Sequence, residues 1–232
     1  MQLGTLRRVS WRELLLEQLV PTRFRLGAAV IVAACVAVTI GLAPSVGHGL
    51  AGRLDSAFDQ RIQTDMGRFP ALLTWLPDFG QLRPVAFATL ALALACVATR
   101  RWTGALLAVV AEPAAVGLTE YVLKPNIGGP YENFPSGHAS SMFALATICA
   151  VLLADPPRRR VPRSVRVLLV LLALLLAAAV AAAMVATGAH DFADAAAGTA
   201  VGIGVVLACA LGLDLVTARA RRGPGARPAS AG

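Results

Sequence analysis

Six apolar runs decide what this chain can become. They cover about Leu26–Leu42, Pro84–Ala98, Thr103–Leu123, Gly137–Ala154, Val165–Val185 and Ala193–Val216. A bilayer core roughly 30 Å thick takes a helix of about 17–25 apolar residues. The second and fourth runs are short by that measure. Helices are the expected form, because a span must satisfy its own backbone hydrogen bonds. Composition agrees: 57% of the 232 residues are hydrophobic and 15% charged, against about 25% charged in a soluble domain. The fold expected is all-α, a polytopic membrane protein built as a six-transmembrane-helix bundle.

Three parts are expected: a cytoplasmic arm over 1–25, the transmembrane domain over 26–217, and a disordered cytoplasmic tail over 218–232, polar and rich in Gly and Pro. The long arm before the first run favours a retained span over a cleaved signal peptide. Between the first and second runs, Ala51–Gln81 is charged and interleaved with Phe58, Phe69, Trp75 and Phe79. It is expected to lie at the membrane surface, where aromatic rings are favoured. The third run carries Glu112 and Glu120, so it cannot face lipid all round. Glu112, beside Pro113, is expected to face the bundle at a kink. The four cysteines lie inside apolar runs and are expected to be small buried hydrophobes, not disulfides or metal ligands.

The basic residues then orient the bundle. With six spans, 16 of the 21 Lys and Arg fall on one side: Arg23 and Arg25 on the arm, Arg100 and Arg101, Arg158–Arg166, and Arg219 onward among them. Arg53, Arg61, Arg68, Arg83 and Lys124 fall on the other. The positive-inside rule puts both termini in the cytoplasm. The pI near 10.6 therefore reflects topology, and no nucleic-acid partner is expected from arginines scattered over short loops.

Span counting also brings three distant groups to one surface. Lys124 ends the third run, His138 opens the fourth, and His190 precedes the sixth. In "FPSGH", Ser136 or Gly137 stands at a helix start, where free N–H groups and the positive dipole end suit a phosphate. Gly137 lets the backbone approach closely, and His138 can exchange a proton. The plainer alternative is an ordinary N-cap. In "HDFAD", His190 and Asp194 are four apart and share a helix face. Asp194 can hold one ring nitrogen and free the other as base or nucleophile. An acid that only complements the helix dipole is the alternative. His138, His190 and Asp194, with His48 as a further ligand, could instead form a metal site. Glu120, four before Lys124, is placed to pair with its ammonium.

Lys124, "PSGH" at 135–138 and "HDFAD" at 190–194, across six spans, resemble the membrane-bound type 2 phosphatidic acid phosphatase superfamily. "LTEYVLKP" and "FPSGHASSMFALA" are typical of its bacterial members. The resemblance covers roughly Leu82 to Leu215. It implies a hydrolase of lipid phosphates or pyrophosphates in a bacterial inner membrane, working on the extracytoplasmic face without metal or cofactor. The implied partners are membrane lipids and a lipid phosphate or polyprenyl pyrophosphate substrate. His190 would be the nucleophile, Asp194 would orient it, and His138 would protonate the leaving oxygen. Lys124, Ser136 and Gly137 would hold phosphate oxygens.

The chain departs from the family pattern at its arginines. Seven and eight residues after Lys124, where the family has Arg-Pro, stand Tyr131 and Glu132, with Gly129 nearby. Ala183 and Met184 stand where it has Ser-Arg. An arginine grips phosphate in a planar, bidentate way that other residues replace poorly. Arg83 is the nearest spare cation by topology, with Arg61 and Arg68 further options. A snorkelling anchor is the simpler role for Arg83. The alternatives to a working phosphatase are a weak or inactive member that binds lipid phosphates, and a transporter.

Overall fold

A computed structural model describes residues 18–43, 49–127, 133–154 and 161–222. Every regular element among them is a helix. A one-turn 3-10 segment, Thr22–Phe24, leads into α1 (Arg25–Leu42); α2 (Gly49–Met66), α3 (Pro70–Phe79), α4 (Leu82–Ala98) and α5 (Trp102–Gly117) follow. The chain then widens into a π turn, Leu118–Leu123, and closes with a short helix, Lys124–Ile127. The bundle is completed by α6 (Gly137–Ala154), α7 (Arg163–Ala186) and α8 (Phe192–Arg222).

Five helical stretches are long and apolar enough to cross a membrane: Thr22–Leu42, Trp102–Ile127, Gly137–Ala154, Arg163–Ala186 and Phe192–Arg219. A bent pair, α3–α4, broken by 57°, brings the number to six when it is counted as one span. α4 by itself covers the short second run, and α3 lies within the stretch expected at the membrane surface. Gln81 is extended at the break and starts α4 anew. The chain is a polytopic helical membrane protein.

The helices pack through small residues. α6 lies between α5, α7 and α8, and α8 also runs along α1. Gly198 and Gly202, one turn apart on α8, meet α6 with almost no clearance. A Cβ on Gly198 would collide with the Ser136 carbonyl oxygen, and one on Gly202 with that of Ser140. This is the small-residue seam that membrane helices use to bring backbones close. Ala108, Ala111, Ala115 and Ala144 are fully buried beside it. Glu112 is buried in α5, facing the bundle as the sequence suggests, with Pro113 inside the helix.

At one end of the bundle the basic residues are put to use. Arg101 Nη1 donates to the Leu152 carbonyl, and Arg166 Nη1 to those of Leu153 and Ala154. Both serve the last turn of α6, where carbonyls lack helical partners and the dipole favours cations. Near the end of α8 the buried Asp214 accepts from the Leu19 and Val20 amides at 2.8 and 3.0 Å, and pairs with Arg25 at 3.4 Å. α8 runs on through Arg222, past the start expected for a disordered tail; residues 223–232 lie outside the described residues. So do Arg158–Arg160 and the first seventeen residues. All four cysteines are free.

Candidate active site

The opposite end carries the chemistry. The π turn holds Glu120 and, just beyond it, Lys124; such bulges recur at functional sites. Lys124 Nζ donates to both oxygens of Glu120, at 2.7 and 2.8 Å. The pair sits directly over Gly137. A Cβ there would collide with Glu120 Oε1 and lie 3.9 Å from Lys124 Nζ. Only glycine leaves that space open.

Ser136 is fully buried and caps α6. Its Oγ accepts from the Ala139 amide at 3.4 Å, and its own N–H donates to the Asp194 carbonyl at 3.0 Å. The second bond ties the start of α6 to the first turn of α8. The Ser136 hydroxyl is thus engaged as an N-cap, while the amides of Gly137 and His138 have no helical carbonyl to reach.

His138 occupies the first turn of α6, half-buried, where it feels the charges of His190, Lys124 and Glu120. The backbone of Gly80, at the α3–α4 break, lies against its ring: a Cβ on Gly80 would come within 2.7 Å of Cδ2. His190 is buried, with Nδ1 3.3 Å from Asp194 Oδ2. The same carboxylate oxygen accepts the Asp191 amide at 3.2 Å. Asp194 thereby engages Nδ1 and leaves Nε2 to act. The His190 amide in turn donates to the Met184 carbonyl at 3.3 Å.

The structure therefore gathers Glu120, Lys124, Ser136, Gly137, His138, His190 and Asp194 at one end. Arg83 makes no bond to any of these residues. It is exposed in the first turn of α4, with no hydrogen bond or ion pair among the described residues. Ala183 and Met184 are buried and uncharged. Gly129, Tyr131, Glu132 and His48 lie outside the described residues. No trio of His, Cys, Asp or Glu among the described residues is arranged to hold a metal ion.

Sequence reasoning missed two residues here. Asp55 Oδ1 accepts the Ala193 amide at 2.7 Å, and Asp59 Oδ1 accepts the Phe192 amide at 2.8 Å. Both come from α2, the supposed surface connection. Asp55, Phe58, Asp59 and Ile62 recur at helical spacing, so they share one face; that was the available signal. With Asp191 and Asp194 the two form a cluster of four carboxylates. Burial, then mutual repulsion, raises the Asp55, Asp59 and Asp191 carboxyls above the ordinary range, Asp59 to about 6.

Fold and site together define an integral membrane protein with a His–Asp pair facing a second histidine at a helix start. Comparison with protein families matches the PAP2 superfamily over residues 79–215, more than half of the chain. The chain belongs to the PAP2 superfamily, and membership supports a phosphatase-type hydrolase function in general. Comparisons with curated proteins and with solved structures found no match.

Proposed function

We propose that the protein hydrolyses a lipid phosphate or pyrophosphate at the extracytoplasmic face through a phosphohistidine at His190. The observation that carries this reading is the His190–Asp194 pair set beside His138 and Lys124. The substrate phosphate rests on the free amides at the start of α6, with Lys124 beside it. The Nε2 lone pair of His190 attacks phosphorus, and the bond to the leaving oxygen breaks. His138 gives that oxygen its proton. Neutral His138 then takes a proton from water, whose oxygen attacks phosphorus; the P–N bond breaks and phosphate leaves. Asp194 holds the ring through Nδ1 and stabilises its positive charge.

A second reading draws on a specific observation. Both ammonium–carboxylate bonds of Lys124 go to Glu120, and the arginine position of the third motif holds Met184. The seat is short of net positive charge, which favours a weak or inactive phosphate-binding member. One experiment separates the two. The purified protein is offered short-chain phosphatidic acid, phosphatidylglycerol phosphate and a polyprenyl pyrophosphate, with and without chelator. Phosphate release that resists chelator, with acid-labile label trapped on His190, supports hydrolysis. Binding without release supports the second reading.

A further inference from the structure

Two helix starts meet at this site, and they are treated differently. At α8 the first amides are already taken by carboxylates: Asp191 by Asp194, Phe192 by Asp59 and Ala193 by Asp55. At α6 the amides of Gly137 and His138 stay open. A start closed by carboxylates repels a phosphate, whereas an open one receives it. α8 therefore presents His190 and α6 receives the anion.

The closing carboxylates come from far away in the chain. Asp55 and Asp59 lie 138 and 133 residues from their partners. Their helix is held down between and just beyond the pair. Phe58 stacks on Phe192, ring centroids 4.7 Å apart and planes at 20°. Ile62 packs against the cluster of Ala139, Ala181, Val185 and Ala195, which joins α6, α7 and α8. Asp55 is buried, at 8% exposure.

We propose that Asp55 and Asp59 of α2 are positioning residues for the reaction, clamping the first turn of α8 so that His190 and Asp194 face the phosphate seat at the start of α6. The inference rests on the phosphatase reading. Neither residue touches the reacting atoms. Their effect passes through the backbone of Phe192 and Ala193, two and three residues from His190. Small displacements of a reacting group are expensive: about 1 Å can lower a rate roughly a hundredfold.

The test uses the full chain in detergent, with dioctanoyl phosphatidic acid as probe. Asp55→Ala and Asp59→Ala should each lower kcat about tenfold with KM within about twofold, since the seat itself is intact. Asp55→Asn and Asp59→Asn keep the acceptor oxygen and should restore kcat to within about threefold of the unaltered protein. Gln60→Ala, exposed beside Asp59, should leave it unchanged. Hydrogen exchange supplies a readout that does not need turnover. Amides over 191–195 should exchange at least about tenfold faster in the Ala variants, while those of α6 and the far end of α8 hold steady. Unchanged exchange over 191–195, or a loss of kcat that the Asn variants do not restore, overturns the clamp. If the unaltered protein releases no phosphate, the phosphatase reading falls, and the exchange measurement still decides whether the clamp exists.

Discussion

At the scale of single residues, the site divides into groups that react and groups that aim them. On the proposed mechanism, His190→Ala should lower turnover on the order of a thousandfold or more, because the proposed nucleophile is gone. Asp194→Asn should lower it less, about a hundredfold, since the ring remains but loses its charged orienter. Both are read from single-turnover phosphate release. His138→Ala should slow formation of the phosphohistidine with a poor leaving group and spare it with p-nitrophenol, which leaves without a proton. Met184 offers a gain instead of a loss. It is buried and its carbonyl binds the His190 amide, so an arginine there would start from backbone bonded directly to that of the proposed nucleophile. Met184→Arg should raise kcat/KM about tenfold, or about 1.4 kcal/mol of transition-state stabilisation. Unchanged kcat/KM would mean that charge is not what limits this seat. At this scale the sequence was informative wherever a motif names its own chemistry. "PSGH" and "HDFAD" announce a histidine beside a helix start and a histidine four from an acid. Asp55 and Asp59 announce nothing, because their partners are backbone amides more than 130 residues away.

At the scale of helices, the informative quantity is clearance. The α6–α8 seam closes on Gly198 and Gly202. Gly198→Ala should force the Ser136 carbonyl away and destabilise the bundle by about 1–3 kcal/mol, as overpacking does. The measurement is a thermal unfolding midpoint in detergent, and an unchanged midpoint would show the seam to be looser than described. α2 carries a pH dependence of its own. The Asp59 carboxyl is pushed up from the ordinary 3.8 to about 6 in the folded protein. Burial is the main cause. Asp55, Asp191 and Asp194 add repulsion, and the Phe192 amide pulls the other way. The folded state therefore holds this proton more tightly than the unfolded chain. Its stabilising effect is full below about 3.8 and is lost as pH rises through about 6. Activity runs in the opposite direction, because the neutral carboxyl is the weaker acceptor for the Phe192 amide. Acidification through pH 6 should thus lower kcat while raising the unfolding midpoint, and Asp59→Asn should flatten both trends. Apolar periodicity outlined five of the spans within a few residues at each end. The second run, Pro84–Ala98, also coincides with a helix, Leu82–Ala98, but the runs gave no sign that a break at Gly80–Gln81 joins it to α3 at a 57° bend.

At the scale of the whole molecule, the charge distribution makes a claim that labelling can check. With the four native cysteines changed to alanine, Asn133→Cys should react with an impermeant maleimide in intact cells and Arg163→Cys should not. The reverse pattern would invert the proposed orientation and move the chemistry to the cytoplasm. Counting spans was enough to bring Lys124, His138 and His190 to one end, since the parity of crossings does not depend on packing detail. It could not reveal that Arg101 and Arg166 serve the end of α6, or that Asp214 grips the chain at Leu19 and Val20. That grip has a consequence for biosynthesis. Among the described helices α8 is made last, yet it carries the carboxylate that fastens residues just before the first span, and His190 stands at its start. Until it inserts, α6 has no glycine seam to lie against, and Lys124 and His138 are without His190. A chain cut before α8 lacks both the carboxylate that fastens Leu19 and Val20 and the proposed nucleophile, so one insertion would settle the first span and the proposed reactive centre together.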